Sequence, residues 1–238
     1  MSTLSQETQK LPITAQIGSF LISLLVGLIV GVIVLGAGQF FLDANALTET
    51  GAALGITDKT SWYFTRSAGT VAYLLLALST VWGLLLSSKI IKESVPAVLS
   101  LAMHNVLAWG ALGMTALHIG ALLFDSYYTY TLADLFIPFV GPYRPEWVGV
   151  GIIGFYLMFL TTLSFYWRKQ LGQKRWRKLH YLTFVAFAAV TAHGVMAGTD
   201  SGSPRMLALF WGSGLLALFL TFYRILAGKE ASRRRKTA

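Results

Sequence analysis

The sequence predicts an all-α membrane protein, a six-transmembrane-helix bundle with both termini in the cytoplasm. Of its 238 residues, 55% are hydrophobic, and these residues form long uninterrupted blocks instead of recurring at amphipathic spacing. A bilayer core of about 30 Å needs about 20 apolar residues of helix, because lipid offers the backbone no hydrogen-bond partner. The blocks are continuously apolar, whereas the strands of a membrane barrel alternate. Helices are therefore expected throughout.

Six apolar blocks reach the required length. They are residues 13–42, 62–88, 96–124, 147–167, 175–197 and 205–226. The first block is too long for the core of a signal peptide, so we expect a retained anchor. We divide the chain into a cytoplasmic segment at 1–12, a six-helix domain at 13–227 and a basic cytoplasmic tail at 228–238. The longest connection inside the bundle, on the outer side, is rich in Tyr and Pro and is long enough to fold back as a cap.

Basic residues in the loops indicate the orientation, since Lys and Arg resist translocation. One side of the predicted bundle has fifteen of the nineteen basic residues and three acids, and the other side has four basic residues and seven acids. Both termini are therefore expected in the cytoplasm of a multi-pass protein, in a plasma or bacterial inner membrane. The positive charge lies beside helix ends, where the lipid bilayer is the ordinary partner, and we expect no binding to nucleic acid.

The chain contains no cysteine. This excludes disulfides, iron–sulfur clusters, thiolate-bound haem and c-type haem attachment. The run GVGIIG at 149–154 matches the dinucleotide fingerprint G-x-G-x-x-G, but it opens an apolar helix and no strand precedes it. We expect these glycines to let helices pack closely. The sequence therefore shows no nicotinamide or flavin site of its own.

All four histidines fall in predicted membrane helices, His104 and His118 in the third and His180 and His193 in the fifth. These helices run in the same direction. At 1.5 Å per residue, His104 and His180 share a depth near the cytoplasmic side, and His118 and His193 share one about 20 Å further out. A neutral imidazole is a good axial ligand for haem iron, so two opposed pairs predict two haem slots.

Spacing alone leaves other interpretations of the histidines open. Different pairings, ordinary hydrogen bonds between helices and a proton relay would use the same residues. Fourteen residues return an ideal helix to within about 40° of its starting face, whereas thirteen miss by about 140°. We therefore expect a tilt, a local tightening or a different approach angle in the fifth helix.

These residues resemble the ferric reductase-like transmembrane domain shared by NADPH oxidases and ferric reductases. The resemblance covers about residues 62–198 and rests on FTRSAGTVAYLLLALS in the second helix, HN and ALH in the third, IPFVGPYRPEWVGVG in the outer loop, and WRKLH with AHG in the fifth. It implies a bundle with two b haems, one held by His104 with His180 and the other by His118 with His193. The resemblance does not extend to the flavin and nucleotide domain of the oxidases, for which we expect no counterpart in these 238 residues. The implied electron donor is therefore a separate cytoplasmic flavoprotein reductase, a free flavin or a membrane quinol.

Three further residues are candidates for the haem sites. Arg66 lies near the outer end of the second helix, and the resemblance implies that it meets a haem propionate. Snorkelling of Arg66 to the outer headgroups is the alternative. Trp109 and Phe187 lie between the two histidine levels and are candidates for the gap between the haems, although aromatic side chains in apolar helices usually only pack.

The function that we expect is that of a di-haem b-type cytochrome, a transmembrane oxidoreductase with a separate donor. It would carry electrons to ferric iron, oxygen or a partner protein on the outer side, and each outward electron gains about 2.3 kcal/mol per 100 mV crossed. One alternative is a cytochrome b anchor subunit that exchanges electrons between a partner enzyme and quinone. Another is a non-redox membrane protein that uses its histidines for protons or packing.

Overall fold

The structure is a computed structural model that describes residues 59–88, 90 and 96–237, with side chains as far as residue 229. This part of the chain is helical, and no strand occurs within it. The helices, numbered from the first one described, are α1 (Thr60–Ser88), α2 (Ala97–Ala121), α3 (Leu132–Phe136), α4 (Pro145–Leu163), α5 (Arg168–Leu171), α6 (Gln173–His180), α7 (Leu182–Ala197) and α8 (Pro204–Thr237). A 3₁₀ turn, Leu122–Phe124, extends α2.

Five stretches are long and apolar enough to cross a membrane. They are Thr60–Ser88, Ala97–Phe124, Pro145–Leu163, Gln173–Ala197 and Pro204–Lys229. They correspond to the second to sixth predicted spans, with ends that differ by a few residues, and they confirm the all-α membrane fold for this part of the chain. The predicted span at 13–42 and the segment at 1–12 lie outside the described residues. The predicted tail at 228–238 is helical as far as Thr237, because α8 continues through it.

The core of the bundle is centred on α1, which packs against α2 on one side and α8 on the other, and also contacts α7. Tyr73 of α1 is buried at this junction. Its hydroxyl lies 2.8 Å from Ser213 Oγ of α8 and 3.2 Å from Thr191 Oγ1 of α7. Lipid cannot satisfy such a group, so this small polar cluster joins three helices in an otherwise apolar interior.

The segments that carry the histidines lie on opposite sides of a gap. Helix α2 packs mainly on α1, while α7 packs mainly on α4, and α2 and α7 have no extensive contact with each other. The outward faces are apolar: Trp211, Leu215 and Phe219 of α8 are 68%, 61% and 64% exposed. Such exposure is expected where lipid is the solvent. The gap between α2 and α7 is therefore the interior space in which a site can form.

The connection between α2 and α4 folds back onto the bundle, consistent with the expected cap. The hydroxyl of Tyr143 donates to the carbonyl of Ala197 at 3.0 Å, and the guanidinium of Arg144 donates to the carbonyl of Met196. Both carbonyls belong to the last turn of α7, just beyond His193. The connection is thus attached to the end of the helix that carries this histidine.

Polar side chains also shape the connection itself. The carboxylate of Asp125 accepts hydrogen bonds from the backbone of Tyr127 and Tyr128, at 2.8 and 2.9 Å. Burial, followed by the nearby charge of Asp125, raises the pKa of Tyr130 to about 12. Tyr130 therefore stays neutral throughout the physiological pH range.

Candidate functional site: two facing histidine pairs

The structure brings the four histidines together as two pairs. The ring centres of His104 and His180 are 6.1 Å apart, and those of His118 and His193 are 6.3 Å apart. In both pairs the ring planes are inclined by 75°. The partners are those expected from the matched depths. Each pair faces across the gap between α2 and the α6–α7 segment.

We call His118 with His193 the outer pair and His104 with His180 the inner pair, after the sides that the sequence predicts. Backbone carbonyls orient both rings of the outer pair. Nδ1 of His118 lies 2.8 Å from the carbonyl oxygen of Thr65 on α1. Nδ1 of His193 lies 3.0 Å from the carbonyl oxygen of Trp147 on α4. A carbonyl oxygen can only accept, so Nδ1 must carry the hydrogen in both rings. In the neutral imidazole, Nε2 then has a free lone pair.

The inner pair is held differently on its two sides. Nδ1 of His104 lies 3.1 Å from the carbonyl oxygen and 3.3 Å from the hydroxyl of Ser79. Nδ1 of His180 is buried and has no hydrogen-bond partner among the described residues. The indole of Trp176, one turn earlier, stacks on the His180 ring with centres 5.0 Å apart and planes inclined by 20°. Stacking therefore positions His180, whereas a hydrogen bond positions His104.

Three glycines allow the rings to lie directly against neighbouring helices. A Cβ atom added at Gly69 would stand 2.8 Å from the His118 ring, and one added at Gly83 would stand 3.1 Å from the His104 ring. At Gly151 the added Cβ would stand 2.6 Å from the His193 ring. Separations this short displace one of the two groups. Gly151 belongs to the GVGIIG run, where close packing is expected, and its neighbour is an imidazole.

A break between α6 and α7 accounts for part of the unfavourable spacing of thirteen residues. Helix α6 ends at His180, and Tyr181 separates it from α7. The amide of Phe184 donates to the carbonyl of Tyr181, a contact three residues apart that tightens the turn. A tighter turn adds rotation per residue, which moves His193 towards the face occupied by His180. Of the three expected adjustments, the structure contains a local tightening.

A cavity of about 1060 Å³ lies beside the inner pair. Both rings of that pair line it, together with Trp109, Gly110 and Arg177. Its volume is slightly above the ~300–1,000 Å³ typical of small-molecule and cofactor sites. Its walls are mainly apolar, and Arg177 and Arg224 are the charged side chains that line it. A large, mostly apolar ligand with polar substituents suits a space of this size and lining.

The two aromatic candidates occupy different places. Trp109 lines the cavity, and its ring centre is 6.3 Å from that of Tyr166. Phe187 is buried in the core, where it stacks on Tyr73 at 6.0 Å with planes inclined by 23°. Trp109 is therefore beside the inner pair, and Phe187 is part of the packing that joins α1 to α7.

Arg66 is close to the outer pair, since it directly follows Thr65, whose carbonyl accepts the hydrogen bond from His118. Its guanidinium stacks on Trp62 at 3.9 Å and forms an ion pair with Asp200. Its Nε atom is buried without a hydrogen-bond partner, as are the hydroxyls of Ser61 and Thr65 one turn apart on the same helix. These unsatisfied groups are suited to a negatively charged oxygen.

Sequence reasoning missed several of the residues that shape the site. Trp176 stacks on a histidine, and Asp200 pairs with Arg66. Backbone carbonyls of three residues orient the rings, and these acceptors carry no signal in side-chain identity. The carbonyls are those of Thr65, Ser79 and Trp147.

Comparison with known proteins adds no relative: the chain matches no family model, no curated protein and no solved structure. The geometry of the histidine pairs is therefore the main indication of function.

Proposed function

We propose that this protein is a di-haem b-type cytochrome that carries electrons across the membrane, from a donor on the cytoplasmic side to an acceptor on the outer side. The observation that carries the proposal is the separation of the paired rings. An imidazole nitrogen binds a first-row metal at about 2.0–2.1 Å and lies about 1.1 Å from its ring centre, so two rings on opposite sides of one metal have centres about 6.3 Å apart. The two pairs have 6.1 and 6.3 Å.

The number of ligands favours haem over a bare metal ion. Among the described residues, no group of three or more His, Asp or Glu side chains is placed to hold a metal ion. A bare zinc ion needs three or four protein ligands, whereas haem iron has four ligands from the macrocycle and needs only two axial ones. Two histidines at each level match the requirement of haem.

The hydrogen bonds disfavour a pair of merely packed histidines. In the outer pair both rings donate from Nδ1 to a carbonyl, so neither neutral ring has a hydrogen to offer the other through Nε2. A shared proton would place a positive charge inside the bilayer, which is costly. A metal between the rings satisfies both lone pairs. Donation from the second nitrogen to a carbonyl is also the usual arrangement of a metal-bound histidine.

Haem b bound by two histidines supplies reversible one-electron transfer. The chain's own residues fix where this occurs. His104 and His180 would hold one group near the cytoplasmic end, and His118 and His193 the other near the outer end. Two histidines at each level would leave the bound group no open position for a substrate, which suits electron transfer better than oxygen activation. A cytoplasmic flavoprotein reductase, a free flavin or a membrane quinol would be the donor, and ferric iron, oxygen or a partner protein the acceptor.

An absorption spectrum of the purified chain tests the proposal. We expect a Soret band, sharp bands on reduction, and about two haems per chain in a pyridine haemochrome assay. Chain expressed with haem synthesis active but purified without a Soret band would refute the proposal. The same preparation distinguishes the quinone-linked anchor subunit: reduction of a soluble ferric chelate by the prereduced chain argues against an anchor that has no terminal acceptor.

A further inference from the structure

The ion pair between Arg66 and Asp200 joins two distant parts of the chain at the outer end of the bundle. Arg66 is in the second turn of α1, whereas Asp200 is in the short connection between α7 and α8. The side chain of Arg66 is 25% exposed and that of Asp200 is 51% exposed. The carboxylate is thus nearer the surface than the guanidinium.

The position of Arg66 relative to the outer pair is set by the backbone. Thr65, its neighbour, accepts the hydrogen bond from Nδ1 of His118. The guanidinium is held over the ring of Trp62, and its Nε has no partner. The positive charge is therefore fixed near the outer pair, and one anion, Asp200, is in contact with it.

We infer that Asp200 sets the reduction potential of the outer haem site by offsetting the charge of Arg66. This inference rests on the proposed function. A fixed positive charge stabilises the reduced, less positive form of a nearby iron and raises its potential, and a paired carboxylate reduces that effect. Asp200 acts through Arg66 and need not touch the haem. Its charge makes the outer site a stronger reductant and so favours delivery of the electron to an acceptor outside.

The test is a redox titration of the full chain in lipid nanodiscs, followed by absorbance. The signal of the outer haem is identified as the one that disappears in His118→Ala. In Asp200→Asn we expect the ratio of reduced to oxidised outer haem, at a fixed ambient potential, to rise about two- to fivefold, the range suggested by a partly exposed pair. At 59 mV per decade for one electron this is an upward shift of about 20–40 mV. The inner haem is expected to keep its potential.

Two control variants separate charge from structure. Asp200→Glu keeps the charge and is expected to keep the wild-type potential. Arg205→Gln removes a charge from an exposed side chain at the start of α8 and is expected to shift neither haem. If Asp200 only tethered its connection, Asp200→Asn would lower the melting temperature without moving the outer potential.

Three results would overturn the inference: no shift of the outer potential in Asp200→Asn, a downward shift, or an equal shift of both haems. Failure of the proposed function is a separate outcome, because it would be seen in the wild-type chain as the absence of haem. If the wild-type chain binds two haems and the outer reduction potential does not shift in Asp200→Asn, the inference about Asp200 is refuted and the proposed function is not.

Discussion

The imidazole of His118 lies against the backbone of Gly69, so closely that a Cβ atom on residue 69 would stand 2.8 Å from Nδ1. The same ring nitrogen donates to the carbonyl of Thr65, one turn earlier on α1. Helix α1 therefore determines where the His118 ring stands. The equivalent contact of Gly83 with His104 gives the same helix this role at the inner pair.

Gly69→Ala is expected to displace His118 and to lower the haem content from about two to about one per chain. The added methyl meets a ring that is fixed by a carbonyl and cannot easily move, and such overpacking typically costs 1–3 kcal/mol. The measurement is the haem-to-protein ratio. Gly212→Ala is the matched control, since a Cβ there meets open space on α8. Equal haem content in Gly69→Ala and the wild type would show that the contact does not constrain the ligand.

Gly151→Ala is expected to affect the same outer site from the opposite side, because its Cβ would stand 2.6 Å from Nδ1 of His193. The double variant Gly69→Ala/Gly151→Ala should then retain as much haem as either single variant, because both remove one site. Combining Gly69→Ala with Gly83→Ala should remove both haems. Additive losses in the first combination would contradict the assignment of Gly69 and Gly151 to one site.

Tyr73→Phe tests the polar junction of α1, α7 and α8. It removes contacts to Ser213 and Thr191, but both of these hydroxyls also bond to carbonyls of their own helices. We therefore expect a modest loss of about 0.6–1 kcal/mol in the free energy of unfolding, with unchanged haem content. Denaturation in mixed micelles measures it. Tyr223→Phe, at a side chain 44% exposed on α8, is the control and should leave the free energy of unfolding unchanged. Loss of haem in Tyr73→Phe would contradict a purely structural role and place Tyr73 in the site.

Tyr143→Phe tests the outer connection as a cover. Its hydroxyl bonds to the carbonyl of Ala197 at the end of α7, so its loss should loosen the connection above the outer pair. We expect faster oxidation of the reduced outer haem by a soluble ferric complex, by about two- to fivefold for one lost hydrogen bond. Stopped-flow absorbance gives the rate. Tyr127→Phe, which alters an exposed ring in the same connection, is the control. An identical oxidation rate in the wild type, Tyr143→Phe and Tyr127→Phe would show that the connection does not cover the outer pair.

Much of the fold follows from the sequence, because long apolar blocks have one stable form in lipid. Five of the six predicted spans are present in the described residues, and the pairing of the histidines follows from their depths. The interruption of the helix at Tyr181 could not be predicted from the sequence, since no proline or glycine marks it. The sequence does show that thirteen residues separate His180 from His193, a spacing that puts them on different faces of an ideal helix. A tilt, a local tightening or a different approach angle would each correct this, and the sequence does not select among them.

The surroundings of the histidines are less predictable for a different reason. For His104, His118 and His193 the Nδ1 acceptors are backbone carbonyls, which every residue has, and only the packing of α1 and α4 selects which ones are used. The pairing of Arg66 with Asp200 depends on the path of a short connection between α7 and α8. No residue spacing in the sequence indicates either the histidine–carbonyl hydrogen bonds or the ion pair of Arg66 with Asp200.

The haem content of paired histidine variants tests the central claim most directly. If each level holds one haem, the double variant His118→Ala/His193→Ala should retain about one haem per chain, as should His104→Ala/His180→Ala. The crossed double variant His104→Ala/His118→Ala, which removes one ligand from each level, should retain none. One haem remaining in the crossed variant, or none in either same-level variant, would contradict two independent sites with this pairing.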